Sequence, residues 1–464
     1  MSTQTTNLEP HSRLAEAKRL WVIALPLMGA QLAQMGMGVV DAIMAGQYSS
    51  VDLAGVALGG SVFWPVMMLM MGLVQAVTPT VAQLNGAGRY GEIGEVIRQG
   101  LWLAVIGGTV AVIMLNNIGA IYTLAQVDPA AAEISVPYLR MCSMGVPALM
   151  CFFCLRFLSD GMSYTRPALL ISIAALCLKV PLNYVLIYGK LGMPEMGGVG
   201  AGLAQAFVMW LQLILIVIIV CGKRFDVTGW RARFSWPQWR RIVPLLRIGI
   251  PIGATIFAEM ALFSVTTILL GHLGAATVAS HNIAMNINGV LFMPALALGM
   301  AGTIRIGFRV GAGEIREART SAAINISSTV VIALLGSVLI YLLRFDMVGL
   351  YTSEADVAGL SATLLLFVVF FLVFDATQST CVGTLRGYKD TSVPMWIALF
   401  SYWVVGLPLE CVLGFGLLGE PMGVYGFWIG LAVGVGTAAI LLSIRLWMIS
   451  KDYDFIRDRA ELGG

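Results

Sequence analysis

Charge is what this sequence has least of. Only 11% of its 464 residues are Asp, Glu, Lys or Arg, where soluble proteins carry about 25%. The chain is 58% hydrophobic, with a mean hydropathy of +0.86. A soluble domain is therefore excluded and a polytopic membrane protein is expected. The net charge of +3 is too small to hold a nucleic acid. No GxxxxGK[ST] stretch is present, which excludes a phosphate cradle of that kind. "NGAGRYGE" and "VGAGEIRE" contain glycines, but they read as turns between apolar spans. The three histidines, His11, His272 and His281, lack metal spacing. The seven cysteines lie in or beside apolar segments, and the one CxxC, Cys151 and Cys154, has no second pair. They read as small buried hydrophobes, with no disulfide framework. No catalytic Ser/His pair and no HExxH is written, so neither an enzyme nor a cofactor is expected. The first twenty residues are polar and lack a short apolar core with a cleavage site, so no cleaved signal peptide is expected.

What is present is a series of apolar runs of roughly twenty residues or more, the length that crosses a bilayer as a helix. Twelve can be placed, near 20–45, 53–82, 98–122, 134–157, 167–188, 199–221, 243–270, 279–304, 320–343, 357–384, 393–416 and 424–447. Basic residues alternate between the connections. Arg13, Lys18 and Arg19 precede span 1, and Arg89 and Arg98 follow span 2. Arg156 and Arg166 follow span 4, and the stretch 222–242 holds Lys223, Arg224, Arg231, Arg233, Arg240 and Arg241. Arg305, Arg309, Arg316 and Arg319 follow span 8, Arg386 and Lys389 follow span 10, and Lys451, Arg457 and Arg459 close the chain. The other connections hold little beyond Lys190 and Arg344. Positive charge stays on the cytoplasmic side, so both termini are expected there, which requires an even number of spans.

An internal repeat constrains the fold further. A shift of 225 residues places Pro26 on Pro251, Ile43 on Ile268, Gly46 on Gly271, Thr78 on Thr303, and "GAG" at 86–88 on "GAG" at 311–313. "LRFLSD" at 155–160 resembles "LRGYKD" at 385–390, and "VPLN" at 180–183 resembles "LPLE" at 407–410. Each half holds six spans, an even number, so both enter the membrane the same way round, as in parallel-repeat transporters. The expected fold is an all-α integral membrane protein of twelve transmembrane helices in two six-helix lobes. The expected division is a tail 1–19, an N-lobe 20–221, a basic linker 222–242, a C-lobe 243–447 and a tail 448–464.

Against this apolar background the buried acids stand out. Asp41, Glu259 and Asp375 sit inside spans, and Glu410 lies in span 11. Each carboxylate costs about 2.5–3.5 kcal/mol to insert. The bland account is charge pairing or a hydrogen-bond network, with Lys179 a partner for one acid. The functional account is ion coupling. Gln378 and Ser379 lie three and four residues beyond Asp375, on its helical face, and make a candidate cation site of oxygen ligands for a proton or a hard ion. No metal is expected beyond a possible Na+ at Glu259 and Asp375. Phe371, one turn earlier, supplies no oxygen. Under the repeat shift Glu259 falls on Gln34 and Asp41 on Thr266, so the acids are not duplicates. Gln34, Asn183, Glu410, and His281 with Asn282 and Asn286 on span 8, are candidates to line a path for a cation or another solute; helix–helix hydrogen bonding is the alternative for the last three.

Several stretches carry a family resemblance: "QMGMGVVDAIMAG" at 34–46, "PTVAQLNGAGR" at 79–89, "LRFLSDGMSYTRPA" at 155–168, "VPLNYVLIYGKLGMPEMGGVGAG" at 180–202, "FAEMALF" at 257–263 and "FDATQSTCVGTLRGYKD" at 374–390. In these the chain resembles the multidrug and toxic compound extrusion (MATE) transporters, close to the NorM branch, over roughly residues 15 to 450. The resemblance implies two lobes forming a V and export of amphipathic, mostly cationic drugs in exchange for H+ and/or Na+. It implies a monomer in the inner membrane of a bacterium, with small molecules, the coupling ion and the lipid bilayer as partners. The family's membrane-embedded acids fall on Asp41, Glu259 and Asp375. Phe371 weakens the sodium case and favours protons. The rivals are a flippase of lipid-linked oligosaccharides, which would show a cationic cavity, and an intramembrane enzyme.

Overall fold

The computed structural model describes residues 13–119, 122 and 129–456. His11, Arg457 and Arg459, and with them most of the two expected tails, lie outside the described residues. The first half contains α1 (Arg13–Tyr48), α2 (Ser50–Gln75), α3 (Val77–Gly86), α4 (Tyr90–Asn116), α5 (Pro129–Ser143), α6 (Val146–Gly161), α7 (Arg166–Ile187) and α8 (Gly198–Val220). The second contains α9 (Trp239–Leu270), α10 (Ala275–Gly311), α11 (Ile315–Gly349), α12 (Ala355–Gly387), α13 (Ser392–Leu399), α14 (Leu407–Phe415) and α15 (Val424–Ile449). No strand occurs among the described residues. That follows from the solvent: in hydrocarbon only a helix satisfies its own backbone.

Among the described residues eleven segments are long and apolar enough to cross a membrane, and the bent pair α5–α6 makes a twelfth, with a 50° break. Three spans depart from a simple rod. Span 2 breaks at Ala76 because Pro79 cannot donate to the preceding turn. Span 4 was expected as one run, 134–157; it breaks around Gly145, whose lack of a side chain lets Ala206 of α8 approach closely. Span 11 passes through a π-helical turn, Phe400–Gly406, between α13 and α14. Span 3 starts at Tyr90 rather than near residue 98. The charges that suggested a later start, Glu95 and Arg98, are buried and paired with each other at 2.7 Å.

Each half builds its own core. Phe63, Phe152 and Phe157 belong to the first, and Phe371, Phe427 and Trp428 to the second. Two seams join the lobes. In one, Leu20, Leu27 and Ala30 of α1 pack with Ala297, Ala301 and Ile304 of α10. In the other, Ile242, Leu245, Ile248 and Ile252 of α9 pack with Ala76 and with Leu103 of α4. Small residues set the spacing, as is usual between membrane helices. A Cβ on Gly72 would fall 2.3 Å from the Cα of Gly253, and a Cβ on Gly249 would fall 2.4 Å from the carbonyl of Leu73. At the repeat-related glycines the contact is reciprocal: Gly86 abuts the backbone of Phe308, and Gly311 abuts that of Gln83.

The seams lie toward one end of the molecule, where α1 and α9 begin and α3 and α10 end. There Glu16, 2% exposed, accepts from Arg305 (2.6 and 2.7 Å), Arg309 (2.9 Å) and Ser321 (2.6 Å). Arg309 also pairs with Glu314. The first turn of α1 is thus locked to α10 and α11 of the C-lobe. Toward the other end the seam faces part. On α10 the face that carries Ala297 continues backwards through Val290, Asn286 and Asn282, all three exposed.

Candidate functional site

In the first lobe α1 brings Asp41 against α7. One turn separates Lys179 from Asn183 on α7, so both face the same neighbour. Lys179 Nζ lies 3.0 Å from Asp41 Oδ2, and Asn183 Nδ2 donates to Asp41 Oδ1 at 2.7 Å. Lys179 also donates to Gln205 Oε1 of α8 at 2.6 Å. Lys179 and Asn183 have no exposure and Asp41 has 9%. Asp41 is therefore compensated by a base. Gln34, half-buried, lies on the face of α1 that carries Leu27 and Ala30, just beyond the seam.

The second lobe is built differently. Gln378 Nε2 donates to Glu259 Oε1 at 3.0 Å and to Asp375 Oδ1 at 3.2 Å. One neutral amide thus bridges two acids from α9 and α12. Its own Oε1 accepts from the Tyr402 hydroxyl at 2.5 Å. Tyr402 stands on the π-helical turn, a distortion frequent at functional sites. Asn288 of α10 faces Asp375, and its Oδ1 is buried without a partner. Arg386, three turns along α12, acts on Glu259 through its charge but hydrogen-bonds to neither acid. Glu259 is half-buried, seven residues beyond the seam residue Ile252 and on its face, so it borders the space between the lobes. Asp375 and Gln378 lie behind it, 4% and 2% exposed.

Among the described residues Ser379 makes no side-chain hydrogen bond to Asp375, whereas Gln378 does. Phe371 is fully buried edge-on to Phe263 and Trp428, with centroids 6.3 and 6.1 Å away. His281 does not share a face with Asn282 and Asn286. It is buried, 3.3 Å from Thr267 Oγ1 and edge-on to Trp428, while the two asparagines are exposed and joined by Asn286 Nδ2 donating to the Asn282 carbonyl. Adjacent residues on a helix point about 100° apart, so the three split between core and opening. Glu410 of α14 forms a separate place, meeting α9 at Thr266, two turns beyond Glu259. Thr266 donates to its Oε2 at 2.7 Å, and its Oε1 is buried without a partner.

The sequence pattern did not reveal Asn288 and Tyr402. An asparagine and a tyrosine inside apolar helices carry no signal until the neighbouring helix is known. Among the described residues no group of three or more His, Cys, Asp or Glu is placed to hold a metal ion. The oxygens of Glu259, Asp375 and Asn288 suit a proton or a hard monovalent cation.

Two repeated helical lobes, seamed at one end, with Glu259 bordering an opening between them, define a polytopic transporter rather than an enzyme. The chain belongs to the MatE family, whose profile matches twice, over residues 26–185 and 251–412. The second match starts 225 residues after the first, the shift at which the sequence repeats. The chain is 41% identical over 451 residues to the multidrug resistance protein PmpM of Pseudomonas aeruginosa, covering 97% of this chain and 94% of that one. It is 37% identical over 450 residues to the multidrug resistance protein NorM of Vibrio cholerae, covering 96% and 98%. Its fold is similar to the crystal structure of the eukaryotic MATE transporter AtDTX14, with a TM-score of 0.89, 22% identity, and 97% and 100% of the two chains covered. An outward-facing multidrug resistance MATE transporter of the MOP superfamily gives a TM-score of 0.86 at 22% identity, covering 95% and 97%.

Proposed function

We propose that the protein is a secondary multidrug efflux antiporter. It exports amphipathic, mostly cationic compounds across the inner membrane of a bacterium in exchange for H+ and/or Na+. One chain is the working unit, with both termini in the cytoplasm, an N-lobe over 20–221, a linker over 222–242 and a C-lobe over 243–447. The names of the full-length relatives support the drug-export part of this reading.

The observation that carries the coupling part is the Glu259–Gln378–Asp375 arrangement. Two carboxylates, Glu259 bordering the inter-lobe space and Asp375 buried behind it, share one neutral donor. Charge of one sign in a bilayer needs a partner, and here the partner is the coupling ion. Phe371, packed away among aromatic rings, brings no oxygen to the site, which favours a proton over sodium. Asp41 serves the drug side of the cycle, either by attracting a cationic compound or by exchanging a proton for it. Gln34, Asn282 and Asn286 border the opening on facing helices and form its polar lining. The lobes rock about the seams, and the ion drives the cycle only because it binds one state better than the other.

The test is drug efflux from proteoliposomes under an imposed proton gradient or an imposed sodium gradient, one at a time. Efflux driven by the proton gradient alone is expected. Efflux that proceeds equally with neither gradient would overturn antiport.

A further inference from the structure

We infer that the segment joining the lobes is a lipid-reading strap, and that its partner is the anionic phospholipid headgroups of the leaflet at the end where the lobes meet. The segment 222–242 carries six basic residues and one acid, Asp226, a larger excess of positive charge than any other connection holds.

The strap is not a free loop. Arg98 of α4 donates to the carbonyls of Gly229 and Trp230 (3.1 and 3.2 Å) and to Ser235 Oγ (3.0 Å). Gln99 donates to the Trp236 carbonyl and accepts from the Gln238 amide, and the Trp102 indole donates to the Ser235 carbonyl. Backbone held this way fixes where the strap's side chains point. Phe234, Trp236 and Trp239 point outward, each at least 70% exposed.

Two observations give the strap its depth and its partner. Trp236 stacks on Trp102 at 6.2 Å, with Phe234 edge-on to both. Trp102 heads the stripe of α4 that continues through Ile106, Val110 and Ile113, exposed apolar residues on one helical face. That stripe faces lipid, and an aromatic cluster at its end marks the level of the headgroups. The nearby acids are engaged: Asp226 by Arg231 at 3.0 Å, and Glu95 by Arg98 and Arg233. Arg240 and Arg241, exposed beside Trp239, have no side-chain partner among the described residues. Unpaired guanidinium groups beside an interfacial tryptophan match phosphate of net negative charge, not a zwitterionic surface.

The strap runs from the end of α8 in one lobe to the start of α9 in the other, so lipid bound there holds the connection that moves when the lobes do. The experiment follows melting temperature in detergent as phosphatidylglycerol or phosphatidylcholine is added to the full chain. Wild type should be stabilised by phosphatidylglycerol and not by phosphatidylcholine. Arg240→Gln with Arg241→Gln should melt like wild type without lipid, since neither side chain holds a hydrogen bond or ion pair among the described residues. Its response should need about thirtyfold more phosphatidylglycerol, two basic groups' worth of surface attraction. Lys18→Gln with Arg19→Gln removes two exposed charges from the same end of the molecule and should track wild type. Equal stabilisation by both lipids would overturn the inference. So would coincident titrations of wild type and the Arg240/Arg241 variant, or an equal loss in the Lys18/Arg19 control.

Discussion

The two lobes descend from one pattern and treat their acids in opposite ways. In the N-lobe, Asp41 on the first helix accepts from Asn183 on the fifth span. In the C-lobe the matching positions are Thr266 and Glu410, and the hydrogen bond is there again, at the same 2.7 Å, with the carboxylate moved to the other helix. The position matching Lys179 is Gly406, so no base follows. Instead the C-lobe adds Glu259 and Asp375, whose matching positions are Gln34 and Gly145. One lobe neutralises its acid internally; the other leaves two acids under one amide. The same scaffold thus makes a lobe whose buried acid has a base beside it and one whose two acids share a neutral donor.

The sharpest way to break this contrast is at the acid without a base. Asp375→Asn should insert and fold normally yet lose gradient-driven efflux altogether. Normal drug resistance at equal expression would remove Asp375 from the coupling site.

Lys179→Met breaks the contrast from the other side. It leaves Asp41 buried without its base, and losing one partner of a buried pair costs about 3–5 kcal/mol. Thermal unfolding of the purified protein should show this loss, and adding Asp41→Asn should recover most of it. If the double variant is no more stable than Lys179→Met, the pair is not what holds that region.

Tyr402→Phe should do less. It removes one hydrogen bond to Gln378, worth about 1 kcal/mol, and should weaken coupling severalfold without abolishing it. Drug efflux measured against the size of the imposed proton gradient would reveal it, and an unchanged curve would make the tyrosine a packing residue.

Smallest of all should be Glu410→Gln, which keeps an acceptor for Thr266. Efflux within about twofold of wild type is expected if this bond only ties two helices together. A loss as deep as that of Asp375→Asn would place a third acid in the coupling pathway.

The number of spans, the repeat and the three acids could be read from the chain because each rests on a rule that acts locally: apolar length, offset, and the cost of a buried charge. Lys179 could be read as a base but not assigned to Asp41, since the pairing depends on how α1 meets α7. Glu16 passed for an ordinary tail residue, because nothing local tells a solvated acid from one locked by Arg305 and Arg309. The start of span 3 was misplaced for the same reason. Glu95 and Arg98 look like a boundary until the strap arrives from more than a hundred residues away to cover them. Asn288, Tyr402 and the split between His281 and Asn282 all depend on the rotation of helices about their axes, which a run of apolar residues does not specify.

The reciprocal contact of Gly86 and Gly311 is the geometry of a twofold dimer, in which one patch meets its own copy. In a dimer of identical halves every substitution is made twice, so a lysine gained beside Asp41 would appear in both subunits, and so would Glu259 and Asp375. A single chain removes that constraint. The glycine contact preserves the symmetry that lets the halves fit, while the covalent join lets one half acquire a base and the other two acids. The difference between the lobes is thus a matter of inheritance as much as of chemistry, and it rests on two glycines at a contact where no side chain fits.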